Sequence, residues 1–184
     1  MTTLQSSDFE LFALPLRFAQ DRAAIDARWK ELQREVHPDK FAAHDAPAQR
    51  TAMQWSVRIN EAYQRLKDPQ RRAAYLCELH GAPIGAHSNT AMPTEFLLQQ
   101  MAWREALEDA ASIDEFDAIG RQAGDYRASA LGRIARLTDE EKDFSAAAQE
   151  VRALMFVDKL SADVQARIDR AEHEATTATP DQRK

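Results

Sequence analysis

The sequence has one cysteine, Cys77, in 184 residues. A single cysteine excludes an internal disulfide and any zinc site that needs several cysteines. No run of eighteen apolar residues occurs, so we expect no membrane-spanning helix. The first ten residues have neither a basic segment nor an apolar core, which argues against a secretion signal. These absences predict a cytoplasmic protein.

Positive charge is also in short supply. The chain carries 24 Lys and Arg against 30 Asp and Glu, a net charge of −6. Residues 1–80 carry +1 and residues 81–184 carry −7. Because nucleic-acid-binding surfaces need a basic footprint, we expect no nucleic-acid partner. The uneven charge predicts two units with different partners.

Glycine and proline are scarce, yet two of each fall within residues 81–93. We interpret this segment as a linker between units at residues 1–80 and 94–175. Residues 176–184 are of low complexity and are expected to fray. Strand-type alternation of apolar residues is absent, so the sequence predicts an all-α fold.

Before the linker, two stripes recur at helical spacing: Ile25, Trp29, Leu32 and Val36, then Ser56, Ile59, Tyr63 and Leu66. Asp21 is a predicted N-cap for the first of these helices. We therefore expect two long antiparallel helices flanked by short ones. A small core role is the simplest interpretation of Cys77.

After the linker, the sequence predicts a three-helix bundle. Thr94 can cap one helix, and Ser112–Glu115 and Thr138–Glu141 both fit the capping box. The apolar stripes that follow are Phe116, Ile119, Ala123, Ile134 and Leu137, then Val157, Leu160, Val164 and Ile168.

His37-Pro38-Asp39 lies between the two long N-terminal helices. Pro38 removes a backbone donor and pushes His37 out of the α region, so the preceding helix must end there. Lys30 and Arg34 lie opposite the apolar stripe of that helix, in a row leading towards His37. Such a row is usually a solvated charged surface. Its position beside a restrained polar loop favours a docking surface instead.

Two other roles for this loop are disfavoured. The proline holds the segment extended, so His37 and Asp39 are not expected to hydrogen-bond, and no nucleophile lies nearby in the sequence. His37, Asp39 and His44 match no established metal-ligand spacing. We therefore predict no enzymatic activity, no bound metal and no cofactor.

The predicted helix from Thr94 to Ala110 has two apolar faces. With Leu97 at 0°, Met101, Glu105 and Leu98 follow within about 100°, whereas Phe96, Trp103 and Leu107 lie on the opposite side. A bundle helix needs one apolar face. The second either packs on the first unit or forms an exposed partner-binding patch rimmed by acids, and the residues leave both open.

Three N-terminal motifs resemble the J-domain of DnaJ-type co-chaperones over about residues 8–76. They are His37-Pro38-Asp39-Lys40, Ile59-Asn60-Glu61-Ala62-Tyr63 and Asp68-Pro69-x-x-Arg72-x-x-Tyr75. The resemblance implies docking on a DnaK-type chaperone and triggering of its ATP hydrolysis. It assigns the trigger to His37, Pro38 and Asp39, with Asp39 able to pair with a cationic group. The steering residues would be Lys30, Arg34 and Lys40.

Two C-terminal motifs resemble the HscB family, the J-proteins of iron–sulfur cluster assembly. They are Phe96-Leu97-Leu98-x-x-Met101-x-x-Arg104-Glu105 and Met155-Phe156-Val157-Asp158-Lys159-Leu160. The resemblance implies that the bundle holds the scaffold protein IscU and presents it to the chaperone HscA. The residues it matches are Leu97, Leu98, Met101, Glu105 and Phe156. Ala102 departs from the family, which often has an acid there.

We therefore expect a two-domain co-chaperone without chemistry of its own. One alternative is a general J-domain adaptor for a different client protein, which shares the His37-Pro38-Asp39 loop but makes no use of the C-terminal patch. A second is a passive helical scaffold with no chaperone partner.

Overall fold

The computed structural model describes residues 3–37, 40, 45–85 and 92–177. Their helices are α1 (Asp8–Leu11), α2 (Arg22–Val36), α3 (Ala46–Lys67), α4 (Pro69–Leu79), α5 (Thr94–Asp109), α6 (Ile113–Ala135), a π-helical turn (Arg136–Glu141) and α7 (Phe144–Thr177). No strand occurs in these ranges, and the all-α prediction is confirmed.

The chain forms two compact units. The first comprises Met1–Pro83 with Ala135–Phe144, and the second comprises Ile84–Ile134 with Ser145–Lys184. The segment that connects α6 and α7 thus belongs to the first unit, although more than fifty residues separate it from the rest of that unit in the sequence.

In the first unit, α2 and α3 pack as an antiparallel pair. Gln33, near the end of α2, accepts a hydrogen bond from Ser56 in the first half of α3 at 3.4 Å. Arg22, at the start of α2, donates to the carbonyl of Lys67 at the end of α3 at 3.1 Å. The predicted N-cap is confirmed, because the Asp21 carboxylate accepts from the backbone N–H of Ala23 at 2.9 Å.

The apolar stripes of this pair are only partly core. Ile25, Leu32, Ile59 and Leu66 are buried, whereas Trp29, Val36, Ser56 and Tyr63 are half-buried. Trp29 stacks on Tyr63 at 4.7 Å between ring centroids. Its indole N–H donates to Asn60 Oδ1 at 3.0 Å, and Gln33 Nε2 donates to the same oxygen at 2.8 Å. The Ile59–Tyr63 motif therefore holds the hairpin together with polar contacts.

A buried carboxylate attaches α1 to the hairpin. Asp8 is fully buried, and its two carboxylate oxygens lie 2.6 Å from Arg58 Nη1 and 2.8 Å from Arg65 Nη1. Its backbone N–H donates to the Tyr75 hydroxyl on α4 at 3.0 Å. These two arginine side chains offset the free-energy cost of removing the carboxylate from water. On α4, Cys77 is fully buried, as predicted.

The predicted capping box at Thr138 is wrong. Here α6 continues into the π-helical turn, and α7 begins only at Phe144. Thr138 is buried and its hydroxyl is 3.4 Å from the carbonyl of Ala135, to which it donates, so it caps no following helix. Asp139 instead accepts from the backbone N–H groups of Phe18 and Ala19 at 2.7 and 2.8 Å. The carboxylate thus binds a loop of the same compact unit.

The other two predicted helix starts had opposite outcomes. The capping box of α6 is confirmed: Ser112 Oγ accepts from Glu115 N at 3.3 Å, and Glu115 Oε2 accepts from Ser112 N at 3.0 Å. The prediction that Thr94 caps α5 is wrong, because Pro93 occupies the N-cap and makes no side-chain cap hydrogen bond. Pro93 has an extended ψ of 137°, and Thr94 is the first residue of the helix itself.

The core of the second unit joins all three of its helices. Its buried members are Phe96, Trp103, Leu107, Phe116, Ile119, Ala123, Ala153, Val157, Leu160, Val164 and Ile168. These include most of the stripe residues expected after the linker, and the three-helix bundle is confirmed. Arg133 on α6 and Glu150 on α7 add a bidentate ion pair with both distances at 2.9 Å. Within the described part of the chain, no helix combines the length and apolarity needed to cross a membrane.

Candidate functional site

The first candidate surface lies at the carboxyl end of α2. Lys30 and Arg34 are exposed there, as the helical projection predicted. The helix ends at Val36, and His37 has φ −56° and ψ 129°. That ψ is extended, as a residue preceding a proline requires, so the predicted helix end is confirmed.

Three basic or imidazole groups of this surface share one cavity. A cavity of about 410 Å³ is lined by Gln33, Arg34, His37 and Lys40. The backbone N–H of Lys40 donates to the carbonyl of His37 at 3.0 Å. The structure therefore brings together part of the predicted docking set. Pro38 and Asp39, two of the three predicted trigger residues, and His44 lie outside the described residues.

The second candidate surface lies on α5. Phe96, Trp103 and Leu107 are buried in the core. Leu97, Leu98 and Met101 are 43%, 62% and 68% exposed, and we call these three residues the α5 apolar face. The helix thus has one buried and one exposed apolar side, which is the division that the helical projection predicts. Ala102 and Glu105 are exposed beside the α5 apolar face.

Phe156 lies in a different environment from the rest of its predicted set. It is half-buried, and its ring packs edge-on against Phe96 with 5.8 Å between centroids. It also lines a cavity of about 400 Å³ between α5 and α7, together with Arg104 and Lys159. Phe156 therefore contributes to the edge of the core as well as to the surface.

Sequence reasoning did not single out several exposed apolar residues. Met155 on α7 is 46% exposed, immediately before Phe156. In the first unit, Leu4, Met53 and Val57 line a cavity of about 600 Å³ on the outer side of α3. A helical projection of α3 places Met53 and Val57 on one row, four residues apart, and this signal could have found them.

Two shifted pKa values in the second unit have local structural causes. Among the described residues, no cluster of three or more His, Cys, Asp or Glu is arranged to hold a metal ion. The lowered pKa of Glu115 comes from backbone hydrogen bonding by Ala111 and from Ser112, and both are contacts of the helix cap. Burial raises the pKa of Tyr126, and neighbouring Glu150 adds to the shift.

Comparison with known proteins assigns both units. A family model described as DnaJ domain matches residues 13–75, and one described as HSCB C-terminal oligomerisation domain matches residues 92–178. A protein of Burkholderia mallei named co-chaperone protein HscB homolog is 48% identical over 176 residues, covering 94% of this chain and 100% of that protein. The chain belongs to the HscB family. It is therefore a J-domain co-chaperone of iron–sulfur cluster assembly.

Other HscB relatives agree in sequence and in fold. The Burkholderia multivorans homolog is 47% identical over 175 residues, covering 94% of this chain and 99% of the homolog. The structure of chaperone HscB from Vibrio cholerae has 32% identity and a TM-score of 0.76, covering 90% of this chain and 99% of that one. The crystal structure of human co-chaperone protein HscB has 24% identity and a TM-score of 0.84, covering 90% of this chain and 84% of that one. This likeness supports the fold alone.

Proposed function

We propose that this HscB-family chain stimulates the ATPase of the DnaK-type chaperone HscA and delivers the iron–sulfur scaffold protein IscU to it. The observation that carries the proposal is the α5 apolar face, which leaves three large side chains exposed on a helix whose opposite side is buried. Exposed clusters of large apolar residues mark protein–protein interaction sites, because covering their surface with a partner is favourable.

The first unit supplies the contact with the chaperone. Arg34, His37 and Lys40 surround one cavity, and Lys30 lies one turn before Arg34 on the same exposed side of α2. A basic surface of this kind attracts an acidic partner surface and fixes its orientation. Asp39 would then pair with a cationic group of the partner and act as the trigger. His37 and Pro38 complete the proposed trigger loop.

The second unit supplies the contact with IscU. Covering a leucine or methionine side chain completely contributes up to about 1.5–3 kcal/mol. Leu97, Leu98 and Met101 together can therefore supply much of the affinity of a transient complex. Glu105 would add a polar contact at the rim, and Phe156 would contribute the part of its ring that remains exposed. Ala102 removes one acid that other family members often have, so this contact rests more heavily on apolar burial.

The chain itself needs neither catalysis nor a cofactor in this proposal. HscA hydrolyses ATP and IscU holds the cluster, while this chain, acting in the cytoplasm, brings the two together. A client bound to the second unit is presented to the chaperone at a high effective concentration. Joint binding should therefore stimulate hydrolysis more than either partner can alone.

Steady-state ATPase measurements test the proposal. HscA is assayed alone, with this chain, with IscU and with both. We expect stimulation by the chain and a further, more than additive rise with IscU. Stimulation that IscU does not change would support a general adaptor for a different client. No stimulation in any mixture would contradict the proposal.

A further inference from the structure

We propose that Met101 is a site of reversible oxidation by peroxides, and that its sulfoxide weakens client binding at the α5 apolar face. The inference rests on the proposed function, since it concerns regulation of the same face. Through this modification, the affinity for the client would fall as the concentration of peroxide rises.

Met101 is exposed and lies near the centre of the α5 apolar face. It is the most exposed residue of the α5 apolar face, at 68%. In helical projection it lies at about 40°, between Leu97 at 0° and Leu98 at 100°. Because Met101 is exposed, a peroxide can reach it without any opening of the fold. An exposed methionine is therefore open to oxidation to the sulfoxide. A partner covering the face would in turn cover this sulfur.

The chemistry needs only a peroxide as oxidant. The Met101 thioether attacks one peroxide oxygen through a sulfur lone pair, the O–O bond breaks, and that oxygen becomes the sulfoxide oxygen. Sulfur loses two electrons, and the second oxygen leaves as water after taking up the transferred proton. Methionine sulfoxide reductases reverse the step with a dithiol, which becomes a disulfide.

The product changes the face from apolar to polar at its centre. A sulfoxide is a strong hydrogen-bond acceptor, and covering it without a donor carries a desolvation cost. Glu105, four residues further along the helix, carries a carboxylate, which can only accept hydrogen bonds. We therefore expect affinity to fall by about tenfold or more.

The other sulfur atoms provide internal controls. Met53 on α3 of the first unit is 65% exposed, nearly the same as Met101, but lies outside the α5 apolar face. Met155 on α7 is 46% exposed, and Met92 is partly buried against the core. Cys77 is fully buried, so its thiol is shielded from the oxidant.

The experiment treats the full chain with hydrogen peroxide and locates sulfoxides by peptide mass spectrometry. The dissociation constant for IscU is then measured before and after treatment for the wild type, Met101→Leu, Met53→Leu and Met155→Leu, each compared with its own untreated sample. We expect Met101 and Met53 to be oxidised to similar extents. Affinity should fall in every chain that retains Met101 and stay unchanged on treatment in Met101→Leu. Incubation with methionine sulfoxide reductases and a dithiol should restore it.

Three results would overturn the proposal. They are a Met101 that resists oxidation while Met53 is oxidised, a Met101 sulfoxide that leaves affinity unchanged, and a Met101→Leu chain that still loses affinity on treatment. Failure of the proposed function looks different, because the untreated wild type would then not bind IscU at all. That result would refute both the proposed regulation by Met101 oxidation and the proposed function.

Discussion

The two candidate surfaces of this co-chaperone have opposite chemistry. The carboxyl end of α2 presents Lys30, Arg34 and His37, whereas the α5 apolar face presents Leu97, Leu98 and Met101. Complementary charge mainly raises the association rate and sets orientation, whereas apolar burial mainly prolongs the complex once it has formed. This contrast is expected of a protein that binds one partner transiently and forms a longer-lived complex with the other.

The contrast also makes the two activities separable by substitution. Both surfaces are exposed, so changes at either should leave the helical cores intact. A substitution at one surface should therefore change one activity and leave the other intact.

Asp39→Asn should abolish stimulation of HscA, because it removes the negative charge of the proposed trigger while keeping the side-chain shape. The steady-state ATPase rate of HscA measures the effect, and circular dichroism at 222 nm verifies the helical content. Affinity for IscU should not change. A folded Asp39→Asn chain that stimulates normally would refute the role of the trigger.

The double change Leu97→Ser and Met101→Ser should weaken IscU binding by about two orders of magnitude. Complete burial of such a side chain contributes about 1.5–3 kcal/mol, and a partner can newly cover only the parts that are exposed, 43% of Leu97 and 68% of Met101. Isothermal titration calorimetry measures the affinity. Met53→Ser with Val57→Ser is the matched control, because these residues are 65% and 53% exposed on α3 and should not affect IscU.

A substitution of a buried residue on the same helix shows what the loss of a core residue would look like. Phe96 is 4% exposed, and Phe96→Ala should cost about 3–5 kcal/mol of folding stability through the cavity it leaves. Thermal unfolding of the two α5 variants should therefore separate them clearly. If the Leu97/Met101 variant melts early with unchanged affinity, its residues are core and not a binding face.

Lys30→Glu combined with Arg34→Glu should slow association with HscA, by roughly tenfold at low salt, because it reverses the sign of the steering surface. Stopped-flow association rates at several ionic strengths measure the effect. Screening should reduce the difference from wild type as salt rises. An equal loss at all salt concentrations would point to a lost direct contact instead.

The smallest effect concerns two capping boxes, Ser112–Glu115 of α6 and Ser7–Glu10 of α1, in which serine and glutamate each accept a backbone hydrogen bond from the other. Backbone hydrogen bonding by Ala111, together with Ser112, lowers the pKa of Glu115 below its ordinary value of 4.5, and Ser7 does the same for the pKa of Glu10. A carboxylate with a lowered pKa adds stability above the unfolded value, and this is lost as pH falls through the folded value. Glu115→Ala should thus destabilise the chain at pH 7 and lose its effect as the pH falls below 4.5 and through the lowered folded value. Urea unfolding across this pH range tests it, and a pH-independent difference would contradict it.

Local patterns predicted the parts of the fold that local chemistry decides. Asp21 and Ser112 lie next to the backbone donors they cap, so spacing alone identifies them. The two faces of α5 follow from helical periodicity, because 100° per residue fixes which side chains share a side. Periodicity therefore predicted that Phe96 and Leu98 lie on different sides of α5, but not that the Leu98 side is exposed.

Predictions failed where a distant contact or a backbone irregularity decided the structure. Thr138 fits a capping box, yet the π-helical turn places it inside a continuing helix, and Asp139 binds a loop about 120 residues earlier in the chain. Spacing along a regular helix carries no signal for such a turn. The partial burial of Phe156 likewise depends on Phe96 of another helix, which periodicity within α7 does not report.

If the two units perform separable tasks, ATPase stimulation and IscU affinity should respond to different substitutions. Both are measured side by side for Asp39→Asn and for the Leu97→Ser/Met101→Ser chain. The first variant should keep its affinity and lose stimulation, and the second should stimulate normally without IscU but show no synergy with it. If either variant loses both activities while remaining folded, the two surfaces do not act separately.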